Sequence, residues 1–157
     1  MALTDNANDI VDINIDGIKR QRFRINGNND SVIELNLSDL NTVDRMKEGL
    51  EKLDAEMTEI ANLPDDDNLK DKLKEADKRM REYVDYIFDY PVSDACIKNG
   101  SMYDPKNGMF AYEHIIDALT KLYTNNLNEE YKKMKSRIQK HTDKYTGKPT
   151  KSTKKKG

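Results

Sequence analysis

Between residues 43 and 87 the chain carries two apolar stripes at helical spacing. Val43, Met46, Leu50, Leu53, Met57 and Ile60 follow one another at steps of three and four, which sets all six on one face of a helix. Leu69, Leu73, Ala76, Met80, Tyr83 or Val84, and Ile87 repeat the rule. Between the stripes, Leu63-Pro64-Asp65-Asp66-Asp67-Asn68 offers a proline and three acids, so the chain turns back and the two helices form an antiparallel hairpin. Asn41 or Thr42 is placed to cap the first helix, which runs to about Ala61. The second starts near Asp66 or Asp67 and ends before Pro91. Gly49 falls inside the first helix at a cost of roughly 1 kcal/mol relative to Ala, which points to a closely approaching neighbour or to tolerated slack.

Upstream the period changes to two. Val11, Ile13 and Ile15 alternate with Asp12 and Asn14, and Asp16-Gly17 suits a tight hairpin turn. The return strand, Ile18 to Ile25, carries Lys19, Arg20, Arg22 and Arg24, as an edge or solvent-facing strand does. Asn26-Gly27-Asn28-Asn29 is the next turn, and Ile33, Leu35 and Leu37 mark a third strand. So short a sheet needs a helix on its apolar face.

Downstream, Ser93 to Lys98 reads as a short capped turn closed by Asn99-Gly100, and Asp104 to Gly108 as a surface turn. Helical spacing resumes with Phe110, Ile115, Ile116, Leu119, and Leu122 or Tyr123, then continues through Leu127, Tyr131, Met134, Ile138, His141 and Tyr145. Unbroken from Met109 to Tyr145, such a helix would be about 55 Å long at ~1.5 Å per residue, roughly twice either hairpin helix. It therefore breaks at Thr124-Asn125-Asn126 or its second half projects. From Leu127 the stripe narrows to single residues flanked by Lys and Arg. That is the pattern either of ordinary bundle core or of a seam awaiting another helix, and the length mismatch favours the seam.

The expected fold is α+β and mainly α: a small N-terminal antiparallel sheet of about three strands, a helical hairpin, and a C-terminal helix or broken helix pair. Residues 1–9 read as a flexible N-terminus and 10–145 as one domain, with the sheet in 10–37 and the helices in 42–145. Residues 146–157 read as a disordered basic tail.

An apolar fraction of 36% beside 36% charged residues, with no Trp, allows only narrow helical seams, and part of the surface is open to completion by a partner. The longest apolar run, Met109 to Tyr112, is too short for a membrane span or a signal-peptide core, so the chain is expected to remain in a cytoplasm. Although the net charge is only -2, residues 131–157 hold 11 Lys or Arg against the single Asp143, so the body is acidic and the end basic.

Candidate chemistry is sparse. Cys96 is alone, which excludes an internal disulfide, and it reads as a small buried hydrophobe. His114 with Glu113 and Asp117 has no second histidine beside it and reads as a rim residue; His141 is similarly bland. Asp65-Asp66-Asp67 begins like a calcium loop, but no Gly holds its sixth position and Ala76 stands where the bidentate Glu belongs. No phosphate-cradling glycine loop or nucleophile elbow occurs. No catalytic residue, metal or cofactor is expected. Two features remain: the stripe Leu127, Tyr131, Met134, Ile138 and Tyr145 as a partner surface, and Lys148, Lys151, Lys154, Lys155 and Lys156 as an electrostatic tail. A Lys run without interleaved aromatics attracts phosphate without sequence preference, or simply keeps the chain soluble.

Arg22-Phe23-Arg24-Ile25-Asn26-Gly27, followed by Val32 to Asn41, resembles the start of small tail-assembly proteins of long-tailed phages and prophages of Gram-positive bacteria. The order that follows is similar: an acidic heptad-like helix, a helix ending in an aromatic-acidic stretch like Tyr86-Ile87-Phe88-Asp89, a Gly-containing loop, a further helix and a Lys-rich end. The likeness rests on pattern and order over residues 20–150. It implies a non-enzymatic tail-assembly chaperone in the host bacterial cytoplasm. Such a protein binds the helical tape-measure protein and keeps it soluble until tail-tube subunits polymerise around it. Self-association is left open, and nucleic acid would be bound only non-specifically. The rival readings are a structural tail component retained in the virion and a nucleic-acid-binding accessory protein that uses the basic tail.

Overall fold

A computed structural model describes residues 9–15 and 20–146 of the chain, with side chains described as far as residue 140. The order is β1 (Gln21–Ile25), β2 (Asn28–Leu35), α1 (Asn41–Ala61), α2 (Leu69–Phe88), α3 (Val92–Cys96), β3 (Pro105–Lys106), β4 (Met109–Phe110) and α4 (Ala111–Thr146). The fold is α+β, mainly helical.

β1 and β2 form an antiparallel hairpin in which Phe23 faces Ile33 and Gln21 faces Leu35. Asn26 and Gly27 make its turn with φ of 51° and 73°, a conformation that asparagine tolerates and glycine adopts freely. Ile33 and Leu35 are fully buried, whereas Arg22 and Arg24 face solvent.

The N-terminal sheet has two strands among the described residues, not three. Residues 11–15 are in no strand, and Val11, Ile13 and Ile15 are 83%, 82% and 60% exposed. The reason is register. A two-residue turn at Asp16-Gly17 would set Val11 opposite Arg22 and Ile13 opposite Arg20, on the solvent face of β1, because paired residues share a face and a one-residue slip reverses every side chain. The turn itself and the start of the return strand at Ile18 lie outside the described residues, as do residues 1–8 and 147–157.

The helical hairpin forms as the stripes require, with its face rotated at the start of α1. Thr42 and Gly49 are buried while Val43 is 60% exposed. Leu40, not Asn41 or Thr42, is the N-cap and has no side-chain cap bond; the Asp39 carboxylate just before it accepts the Asn41 N–H at 3.0 Å. Arg45 then ties the helix down: it donates to Asp39, to the Thr42 hydroxyl and, at 3.1 Å, to the Ile87 carbonyl of α2. Burial pushes the Asp39 carboxyl up, but the Arg45 guanidinium and the Asn41 N–H together hold it below its ordinary range. Gly49 marks a close approach. A Cβ there would meet Ile87 Cγ1 at 2.5 Å and Cδ1 at 2.7 Å.

α2 begins at Leu69, after the Asp66 carboxylate accepts the Asn68 N–H at 2.9 Å, and closes at Asp89 in a left-handed conformation with φ of 53°. The Tyr90 N–H returns to the Asp85 carbonyl there, satisfying an end-of-helix acceptor just ahead of Pro91. Charged contacts fasten α1 to α2 and then α2 to the segment that follows it. Glu56, buried on α1, receives both Nε and Nη2 of Arg79 at 2.8 and 3.0 Å. Arg81 donates to Asp77, Asp94 and the carbonyls of Ile97 and Gly100, and Asp77 also accepts the Met102 N–H at 2.7 Å. Together they staple the loop after α3 onto α2. The expected surface turn at 104–108 is a minimal hairpin, with Asn107 and Gly108 at φ of 50° and 83° between β3 and β4.

One hydrophobic cluster runs through the body, from Ile33 and Leu35 of β2 through Leu53, Met80, Val84, Ile87 and Phe88 to Ile115, Ile116, Leu119 and Tyr123 of α4. It joins the small sheet, the hairpin and the first half of α4 around one core, and the end of β1 also meets α4 directly.

Candidate partner-docking surface

The 36 residues of α4 are helical throughout, without a break at Thr124-Asn125-Asn126. Its first half belongs to the body. Ala111, Tyr112, Ile115, Ile116, Leu119 and Tyr123 are buried, and the Tyr123 ring lies 5.9 Å from that of Phe88. Burial, with Asp54 adding its negative charge, pushes the Tyr112 phenol up to about 12. The last tie to the body is Asn126, whose Nδ2 donates to the Leu37 carbonyl at 3.3 Å.

Beyond Asn126 the helix leaves its support. Leu127 is half-buried, and every residue from 128 to 140 is exposed. Tyr131, Met134 and Ile138 are 66%, 58% and 61% exposed. At ~100° per residue Leu127, Tyr131, Met134 and Ile138 fall within an arc of about 60°, so the helix presents one continuous apolar line to water. Tyr145 continues the register within α4, while Lys148, Lys151, Lys154, Lys155 and Lys156 lie outside the described residues. Lys132 and Lys133 reach back to Glu129 and Glu130 at 3.7 Å, exposed contacts of little energetic weight. The flanks are otherwise basic, with Lys135, Arg137 and Lys140.

The structure thus aligns four of the five stripe residues on one face, with Leu127 half-buried and Tyr131, Met134 and Ile138 exposed. It also shows two exposed apolar groups that the stripe argument missed. Leu40 and Val43, 67% and 60% exposed, sit at the start of α1, and Ile10, at 69%, stands next to Val11, out of phase with the row Val11, Ile13 and Ile15. A shallow groove of about 410 Å³ opens where the end of β1 approaches α4, between Ile25, Ile97, Ile115, Ala118 and Leu119, with Arg24 on its rim.

The remaining candidates are structural. Cys96 is largely desolvated, which pushes its thiol up to about 11 and away from nucleophilic use. His114 Nε2 meets the Lys106 carbonyl across the β3–β4 hairpin. No group of three or more His, Cys, Asp or Glu able to hold a metal ion occurs among the described residues, and no helix there is long and apolar enough to cross a membrane. No family model, curated protein or solved structure matches the chain.

Proposed function

We propose that the protein is a helix-binding assembly chaperone of the phage-tail kind, acting in the host bacterial cytoplasm. Its role is to capture a tape-measure-like helical partner along the distal half of α4 and hold it for tail-tube subunits. The observation that carries this reading is the exposed line Tyr131, Met134, Ile138 on a helix that outruns its body. In water such a line has no partner, and an isolated helix of this length is marginal, so an incoming amphipathic helix would both cover and steady it. The basic flanks select an acidic partner face.

A second reading, non-specific nucleic-acid binding, draws on the same flanks. Lys132, Lys133, Lys135, Arg137 and Lys140 would meet phosphates, but the apolar line would then stay wet.

The test is to read the genes beside this chain's own for a long helical open reading frame and to co-express the chain with its product; absence of any such frame would count against the reading. The parent should keep that protein soluble and co-purify with it, and the double variant Tyr131→Ser, Met134→Ser should not. Equal capture by the variant would overturn the reading. Binding to random duplex DNA that falls steeply with salt, with no capture of the helical protein, would favour the second. Presence of the protein in purified particles would mark a retained tail component instead.

A further inference from the structure

We propose that Val11–Ile15 is a donated strand, which pairs with the free edge of β1 in a second copy of this chain. The inference is independent of the role assigned to α4. Four observations converge on it. First, Val11, Asp12, Ile13, Asn14 and Ile15 have the alternation of a half-buried strand, yet among the described residues the segment is in no strand and its apolar side chains are 60% to 83% exposed. Second, β1 has β2 on one side and, among the described residues, no strand on the other. Third, the two are complementary in charge and in face. β1 turns Arg22 and Arg24 outward and Phe23 and Ile25 toward the core. An antiparallel strand with Ile13 opposite Phe23 sets Asp12 opposite Arg24, Asn14 opposite Arg22, Val11 opposite Ile25 and Ile15 opposite Gln21. Fourth, that register carries Val11 to the end of β1 that borders the groove lined by Ile25, Ile115 and Leu119.

A second copy, rather than the same chain, is the occupant because of turn chemistry. Asp16-Gly17 favours a two-residue turn, which imposes the wrong face, as described above. The register that matches faces would need residues 17–19 as a three-residue loop. Its left-handed position would then fall on Lys19 while the glycine stood first, the reverse of what such loops use. Strand exchange removes the conflict, since no turn constrains register between chains, and it covers an edge that would otherwise invite unspecific pairing.

The test uses the full chain. Sedimentation velocity over a concentration series should show a reversible dimer, and Ile13→Asp should weaken it by about tenfold or more. The melting curve at low concentration should not change, because Ile13 is exposed. Asp12→Arg and Arg24→Asp should each weaken the dimer, and the two together should restore it. In a Cys96→Ser background, mixing one chain that carries Asn14→Cys with another that carries Arg22→Cys should give the mixed disulfide. A monomer at all concentrations, or a dimer indifferent to Ile13→Asp and Asp12→Arg, overturns the proposal; the second result would move the interface to α4. A disulfide formed only within a chain carrying both cysteines also overturns it, in favour of pairing in cis.

Discussion

The two halves of α4 have the same helical spacing and opposite surroundings. From Ala111 to Tyr123 the helix has a broad apolar face, and six of its side chains are buried in the body. From Leu127 the face narrows to one side chain per turn, and from Tyr131 to Ile138 it is exposed among the described residues. The difference teaches that stripe width, not periodicity, separates core from seam. A broad face packs into several neighbours at once, whereas a single line fits the groove of one more helix. Substitutions that disturb packing should therefore be severe in the body and mild on the distal helix.

The largest effect is expected at Leu53, which is fully buried between the hairpin helices and the rest of the core. Leu53→Asp places a carboxylate there without a partner and removes the packed side chain, at a cost of about 4 kcal/mol or more. The far-ultraviolet melt should shift to much lower temperature or vanish. A melt like the parent's would mean the cluster is not the core of the protein.

Gly49→Ala comes next. In an open helix this change gains up to about 1 kcal/mol, but here the new methyl collides with Ile87 Cγ1 and Cδ1. The net result should be a loss of about 1 to 3 kcal/mol. In an Ile87→Ala background the same change should cost nothing or stabilise. A stabilised single variant would show that the helices are not held this close.

Smaller effects should appear in the pH dependence, with opposite signs for two aspartates. Asp39 is held below its ordinary range, so its contribution is present at neutral pH and lost as pH falls through the depressed value. Asp39→Asn should lower stability near pH 7 and match the parent more closely in acid. Asp85 is raised by burial, although Ser93 donates its N–H at 2.8 Å and its hydroxyl at 3.2 Å to it. Its ionised form is the costly one in the folded state. Stability is thus lost as pH rises from below the ordinary carboxylate value through the raised one. Asp85→Asn, which keeps an oxygen for the Ser93 N–H, should gain on the parent as pH rises. Urea melts between about pH 3 and pH 7 read both slopes, and parallel curves for the two variants would refute the assignment.

The sequence carried the hairpin and most of its two helix faces, because repeated spacing over many residues leaves one solution, whereas for α4 it left open a break at Thr124-Asn125-Asn126 or a projecting end, and the helix runs through. Where one turn of helix or one short strand decided, tertiary contacts took over. Val43 sits at the right step for the stripe. Arg45, however, binds Asp39, Thr42 and the Ile87 carbonyl and turns Thr42 inward instead. The alternation of Val11, Ile13 and Ile15 signalled a strand without saying which edge would hold it, since strand pairing is non-local and the adjacent turn favours the opposite face. The Glu56–Arg79 pair and the reach of Arg81 to Asp94, Ile97 and Gly100 had no signal, since they join groups 13 to 23 residues apart in a sequence where charges are everywhere; only the Asp77–Arg81 pair, four residues apart on α2, has a local spacing that could have marked it. The docking line was legible as a pattern, but its exposure depended on how far the body reaches, which only the packed structure gives.

The distal helix should show the smallest change in stability. Tyr131→Ser and Met134→Ser remove side chains that touch solvent more than protein, so the combined effect on the melt should stay within about 0.5 kcal/mol. The same region should be distinguishable from the body without any substitution. Residues 131–140 are exposed, so their amide hydrogen exchange should be far faster than that of 112–123, which open only with the core. Addition of a helical partner should slow exchange at 131–140 and leave 112–123 unchanged. Body-like protection of 131–140 in the isolated protein would show that the seam is already covered, by another copy or by the body itself. The site of partner capture would then have to be sought on the acidic hairpin.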